Sequence, residues 1–136
     1  MQLRRDTEYA LRILYCMVGR GGDKTSPSAG LTLGRLSALS GVPKAAADRM
    51  CGRLKDAAFI VSRDGKGGET LYFPASGLRR RSLLDVLKMT EGGVQLCGVF
   101  DKTGGFYKEV GPQLQSVQTE MKKILAAATM GDLLKK

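Results

Sequence analysis

Histidine is absent from the chain, and cysteine is scarce: Cys16, Cys51 and Cys97 are the only three in 136 residues. They stand 35 and 46 positions apart, with no Cys-x-x-Cys pair. That pattern argues against a zinc site of ordinary ligand spacing. The odd count argues against a disulfide framework. No apolar run approaches the roughly 18 residues that a membrane helix needs. Asp6, Glu8 and Arg12 interrupt the apolar start "MQLRRDTEYALRILYCMVG", so it does not read as a signal peptide. The expected location is the cytoplasm, with no membrane partner. Enzyme signatures are missing too: there is no nucleophile motif and no carboxylate pair at a plausible spacing. The expectation is therefore a protein that is not an enzyme.

Acidic residues are also in short supply, 13 against 22 lysines and arginines, for a net charge of +9. Residues 1–82 hold 15 basic and 7 acidic side chains, whereas residues 83–136 are nearly balanced at 7 and 6. A basic first part suits nucleic acid, a ribosome or a membrane surface, and charge alone does not choose among them. The apolar fraction of 43% is that of an ordinary globular protein, and the length is enough for one domain with a core.

Ala10, Ile13, Leu14 and Met17 recur at helical spacing, so a first helix is expected from a cap at Asp6 or Thr7 to about Val18. The loop "GRGGDKTSPSAG" follows. Its Lys24-Thr25 comes close to a phosphate-binding loop, but Asp23 stands where glycine is required and no strand precedes it. Residues 32–58 read as two helices about the turn "SGVPK". Leu33, Leu36 and Leu39 mark the first helix. Pro43 opens the second, whose buried stripe is Ala47, Met50, Leu54 and Ala58. Ser37, four residues before Gly41, is small enough to let the helices approach. The arrangement is either a helix-turn-helix or a plain helical hairpin.

The run "FIVSRDGKGGETLYF", residues 59–73, decides between them. Two β-prone segments flank a glycine-rich tip, which makes a hairpin. A helix-turn-helix followed at once by a hairpin is a winged helix. Gly67 and Gly68 then form the wing tip, where positive φ costs nothing and amides face phosphate oxygens. Arg63 and Lys66 add charge there; the plainer reading is a turn with two solvated cations. On the second helix Lys44, Asp48, Arg49 and Arg53 are the polar candidates for DNA. Ala46 and Ala47 offer a base edge nothing to bond. Arg79, Arg80 and Arg81 form either a phosphate contact or a solvated corner.

Ser82 with Asp85 three residues on is a capping box for "SLLDVLKMTEGG", stopped by Gly92-Gly93. Farther on, Val110, Leu114, Val117, Met121, Ile124 and Ala128 are spaced 4, 3, 4, 3, 4. This is a heptad seam on a helix expected to begin near Pro112. It packs either on its own domain or on a second copy, and its narrowness and length favour the second copy.

The order of these features resembles a bacterial winged-helix repressor family of the Rrf type. "TEYALRILYCM" is similar to the family's "Thr-Asp-Tyr-Ala-Leu-Arg" opening. "FIVSRDGKGGETL" resembles its wing, "SLLDVLKMTEG" its "Thr-Leu-x-Asp-Ile-x-x-Ala-x-Glu-Gly", and "ATMGDLL" its closing segment. The resemblance implies a fold that is mainly α with a small β-hairpin wing: a winged helix-turn-helix plus a long C-terminal dimerisation helix. Residues 1–92 would be the DNA-binding part. Residues 93–136 would hold the remnant of a sensor loop and the dimerisation helix. The implied function is a homodimeric transcriptional regulator, a repressor, on a palindromic operator in double-stranded DNA.

Many relatives hold an iron–sulfur cluster on three cysteines in that loop, and some recruit an acidic residue of the other subunit, at the place Glu8 occupies here. This chain departs from the pattern with one loop cysteine, Cys97, so no cluster and no metal are expected. Cys97 is instead a candidate redox-sensing thiol. The alternative function is a protein–protein module that kept the winged-helix shape and lost specific DNA readout.

Overall fold

Thr7, Ala10, Ile13, Leu14 and Met17 are fully buried along one face of the first helix, α1 (Arg5–Val18). In the computed structural model, which describes residues 3–18, 30–94 and 105–134 and only the backbone of Tyr107, this helix is the centre of the core. Its start differs from the expectation. Neither Asp6 nor Thr7 caps it, because both lie inside the helix. A carboxylate from far along the chain ties down this end: Glu91 Oε2 accepts the Arg4 amide at 2.9 Å and also the Thr7 hydroxyl. Thr7 and Thr90 share a further hydroxyl–hydroxyl bond of 2.6 Å.

The expected helix pair is α2 (Leu33–Ser40) and α3 (Lys44–Asp56). Thr32 caps α2 by accepting the Arg35 amide at 3.2 Å. Gly41 ends it in the left-handed conformation, φ 75°, and returns its amide to Ser37. The Ser37 hydroxyl also donates to the Val42 carbonyl at 2.7 Å, so it latches the turn as well as being small. Pro43 is the residue just before α3, one position earlier than expected. Leu36 is buried as expected, but Leu39 is 48% exposed on the outer face of α2. Ala47, Met50 and Leu54 form the buried stripe of α3. Ala58 does not join it; it lies beyond the helix end with φ +64°.

The wing is the antiparallel pair β1 (Ile60–Asp64) and β2 (Thr70–Pro74), from Ile60 opposite Pro74 to Asp64 opposite Thr70. Leu31 bonds both ways with Tyr72, 2.9 and 2.8 Å, which ties the chain entering α2 to the wing. Phe59, Ile60 and Phe73 anchor the hairpin in the core.

Helix α4 (Leu83–Thr90) carries the expected capping box, with Ser82 and Asp85 exchanging bonds of 3.1 Å. Gly92 and Gly93 follow it at positive φ. Helix α5 (Gly105–Ala127) begins two turns before Pro112, not at it. Ala128 lies just past its end, where its carbonyl accepts the Leu83 amide at 2.8 Å. The short α6 (Met130–Leu133), capped by Thr129, returns the chain to the core through Met130. The loop expected at 19–30, except Gly30, and the sensor loop with Cys97 lie outside the described residues.

Candidate nucleic-acid interface

Three elements meet on one face: the start of α2, the exposed side of α3, and the wing. Lys44, Asp48, Thr32, Glu69, Thr70 and Tyr72 line a cleft of about 430 Å³ between the helices and the hairpin. Lys44 and Asp48 are exposed on successive turns of α3, with Ala45 and Gly52 also outward. Glu69 and Thr70, which sequence reading did not select, bring one acid and one hydroxyl to the same place.

The wing tip is a single 3-10 turn, Lys66–Gly68. Gly67 and Gly68 have φ of 76° and 80°, a conformation that side-chain-bearing residues rarely adopt. Lys66, Gly67 and Gly68 are all exposed. Arg63 projects from β1 with its guanidinium 5.2 Å from the centre of the Phe73 ring. Such stacking orients the charge while leaving the arginine at the surface.

The other two arginines of α3 are tied down. Arg49 donates to Asp6 Oδ1 at 3.1 Å, and Arg53 donates to Asp6 Oδ2 at 3.0 Å. Arg53 reaches further, to the Met89 carbonyl at 2.6 Å, and so bridges α3, α1 and α4. It is half-buried, whereas the Arg49 side chain remains 57% exposed. Arg53 therefore joins the residues that hold α3 in place, and Arg49 stands at the edge of its outer face. In the sequence Asp6 read as a candidate cap of the first helix, and its two arginine partners on α3 were not legible.

The arginine run 79–81 divides similarly. Arg81 lies 3.9 Å from the Phe59 ring centre, bonds Asp85 at 3.3 Å, and donates to the carbonyls of Ala57 and Ala58. Arg79 donates to the Val18 carbonyl at 3.2 Å. Both bind the protein's own backbone, so Arg79 and Arg81 act as a clamp, whereas Arg80 is exposed.

Cys16 and Cys51 are buried in the core. Burial, reinforced by the charge of Asp48, pushes the Cys51 thiol up to about 12. Buried among apolar neighbours, both thiols serve as small core residues. Tyr72, beside Cys51 and Asp48, is likewise raised, chiefly by burial. Glu8 is exposed on α1 and pairs with Arg12 at 3.0 Å. Among the described residues, no three His, Cys, Asp or Glu side chains gather as a metal site would require. The two described cysteines therefore do not suit an iron–sulfur cluster, whose iron takes thiolates.

Among the described residues there is also an apolar groove of about 530 Å³ between α4 and α5, with Leu83, Leu87, Val94, Met121 and Leu125 among its lining residues. Ile124, also in the lining, is 69% exposed, and Val117 on the same helix is 51% exposed. Val110, Leu114 and Met121 of the same seam are half-buried.

The chain matches the family described as Rrf2, iron-dependent transcriptional regulator, over residues 3–136. It belongs to the Rrf2 family of transcriptional regulators. No curated protein matches it in sequence. Among solved structures, this Rrf2 protein is similar to CymR (YrzC), the global cysteine regulator of B. subtilis. The TM-score is 0.74 and the identity 16%, over 98% of this chain and 96% of that one. The oxidised form of Staphylococcus aureus CymR matches with a TM-score of 0.69 and 15% identity, over 100% and 98% of the two chains. T. potens IscR matches with a TM-score of 0.66 and 17% identity, over 99% and 87%. At such identities these likenesses establish the winged-helix regulator fold. Within the described residues of this Rrf2 protein, no helix is long and apolar enough to cross a membrane.

Proposed function

We propose that the protein is a homodimeric DNA-binding transcriptional regulator that works without an iron–sulfur cluster. The repressor sense, the cytoplasmic location and the palindromic operator follow from the family resemblance. One observation carries the reading: Lys44, Arg49, Lys66 and the glycine tip of the wing stand exposed around α3 on a chain of net charge +9. Lys66 and the amides of Gly67 and Gly68 are the phosphate contacts in this reading. Lys44 and Arg49 enter the major groove, and Arg63 lies along the backbone or minor groove. The seam of α5 from Val110 to Ile124 supplies the dimer contact, which places two half-sites one turn apart, ~34 Å. Cys97 is the candidate redox-sensing thiol in this reading.

The second reading, a protein–protein module, has one observation in its favour. Ala45 and Gly52 leave much of the outer face of α3 without hydrogen-bonding groups, and Asp48 and Glu69 put acids beside it. Fluorescence anisotropy on a 30-base-pair duplex separates the two. The DNA reading expects retention at moderate salt, and Lys66→Ala should weaken all sequences alike and lower the salt slope by about 1. Failure of the wild-type protein to bind any duplex at low salt would leave the module reading standing. Protein purified without oxygen should be colourless and free of stoichiometric iron. A brown preparation that bleaches in air, and stays colourless as Cys97→Ala, would overturn the cluster-free part.

A further inference from the structure

Asp6 sits where the outer face of the recognition helix meets α1, and both of its oxygens are occupied: Oδ1 by Arg49 and Oδ2 by Arg53. These two arginines are one helical turn apart on α3, so a single carboxylate spans them. Arg53 is in turn fixed to the Met89 carbonyl at the end of α4. The carboxylate is thus held from one side by a half-buried arginine that does not leave. It also lies in the first turn of α1, where the helix dipole favours a negative charge. Arg49 is the more exposed of the pair, at 57% against 35% for Arg53. It is the arginine that DNA can compete for.

We propose that Asp6 is a positioning residue for DNA recognition: it holds Arg49 at the edge of α3 and keeps it off the phosphates of non-specific DNA. The inference rests on the DNA-binding reading above and deepens it. A backbone phosphate can take the guanidinium fork as a carboxylate does, so it offers Arg49 little more than the partner it already has, which is pre-organised by Arg53. A guanine edge offers two acceptors, O6 and N7, in the plane of the guanidinium. Asp6 then lowers affinity for DNA at large while leaving a bidentate site able to draw Arg49 away. The specific complex bears the cost of releasing Arg49 in full, so Asp6 weakens both complexes, and what it removes is the Arg49 contact to random sequence.

The test uses the full-length chain and a random-sequence 30-base-pair duplex. Asp6→Asn keeps the shape and removes the charge that holds Arg49. Its affinity for the random duplex should rise about two- to five-fold, the range of a largely exposed ion pair. The salt slope should steepen by about 1, since one more phosphate is neutralised. In an Arg49→Ala background the same change should have no effect on either quantity. A gain that persists without Arg49 would mean general electrostatics, and would overturn the proposal. So would a loss of affinity, which would mean that Asp6 aims Arg49 at the DNA backbone. If wild-type protein binds the duplex and Asp6→Asn is indistinguishable from it, the proposal fails while the DNA reading stands; if wild type does not bind, the DNA reading itself fails. Should Asp6→Asn not fold, NMR of the unaltered protein decides the matter. The Arg49 guanidinium resonances should be the same in the free protein and in the random-duplex complex, and a shift on binding would overturn the proposal.

Discussion

Ala58 adopts φ +64° directly after α3, the only described non-glycine residue with positive φ. Its carbonyl accepts from Arg81 and its amide bonds the Lys55 carbonyl at 3.0 Å, so the geometry is held from both sides. An alanine in this region costs about 1 kcal/mol through the approach of its Cβ to the carbonyl. Ala58→Gly should therefore stabilise the fold by about that amount and raise Tm by a few degrees, as calorimetry would read it. Asp85 offers a pH prediction at the same scale. Its carboxyl is held below the ordinary value of 3.8, chiefly by the Ser82 backbone amide; burial opposes this as the next largest effect, and Arg81 adds to the lowering. A folded pKa below the unfolded one means stability that is present above the unfolded value and is lost as pH falls through the folded one. Asp85→Asn should lower stability at neutral pH, and its deficit against wild type should shrink as pH drops below about 4. Urea titrations at pH 7 and pH 3 would show it. The capping box was legible because Ser82 and Asp85 are three residues apart. The roles of Asp6, Arg53 and Arg81 were not. Their partners lie 47 residues away for Arg53 and Asp6, and 24 for Arg81 and Ala57. Local sequence carries no trace of such a pairing, so an arginine committed to a carbonyl reads as one facing solvent.

Periodicity served the elements well where burial is one-sided. The stripes of α1 and α3 fell where a 3.6-residue repeat puts them, and the wing followed from glycines between two β-prone runs. It served less well at the ends. Leu39 has the spacing of α2 yet faces outward, because the buried face runs through Leu36 and Ser40, four residues apart, and leaves Leu39 to one side. Ala128 continues the heptad spacing, but the chain has already left the helix to pair with Leu83. Pro112 is the clearest departure. It stands in the eighth position of α5, where it has no amide to give the Lys108 carbonyl. Proline costs a helix interior about 3 kcal/mol relative to alanine, so the two turns before it are sustained weakly. Pro112→Ala should raise the helical signal in circular dichroism. It should also slow amide exchange at residues 105–111 while leaving α1 and α3 unchanged. Equal exchange in both proteins at those positions would show that Pro112 does not limit this part of α5.

At the scale of the molecule, the candidate DNA surface and the exposed apolar surface lie on different elements. Lys44, Arg49, Arg63 and Lys66 stand on α3 and the wing, beside Asp48, Asp64 and Glu69; the apolar groove lies between α4 and α5, with Ile124 in its lining and Val117 exposed on the same helix. A molecule so divided has one surface suited to a polyanion and another suited to a second copy, and the two uses reinforce each other. If the seam joins two chains, one duplex meets two recognition helices, and the number of phosphates neutralised doubles. That doubling is measurable. Val117 and Ile124 are already exposed in the single chain, so replacing both with lysine should disturb its fold little. In the seam of a dimer the same lysines would meet apolar surface and each other, and burying unpaired charge is costly. The variant should sediment as a folded monomer at micromolar concentration, with the circular dichroism of wild type. Its Tm should cease to depend on protein concentration, as wild-type Tm should do by mass action. On the same 30-base-pair duplex its salt slope should fall to roughly half the wild-type value, because each bound unit now releases half the counterions. A variant that remains dimeric would show that another surface joins the chains. One that becomes monomeric and keeps the full slope would show that a single chain makes all the phosphate contacts.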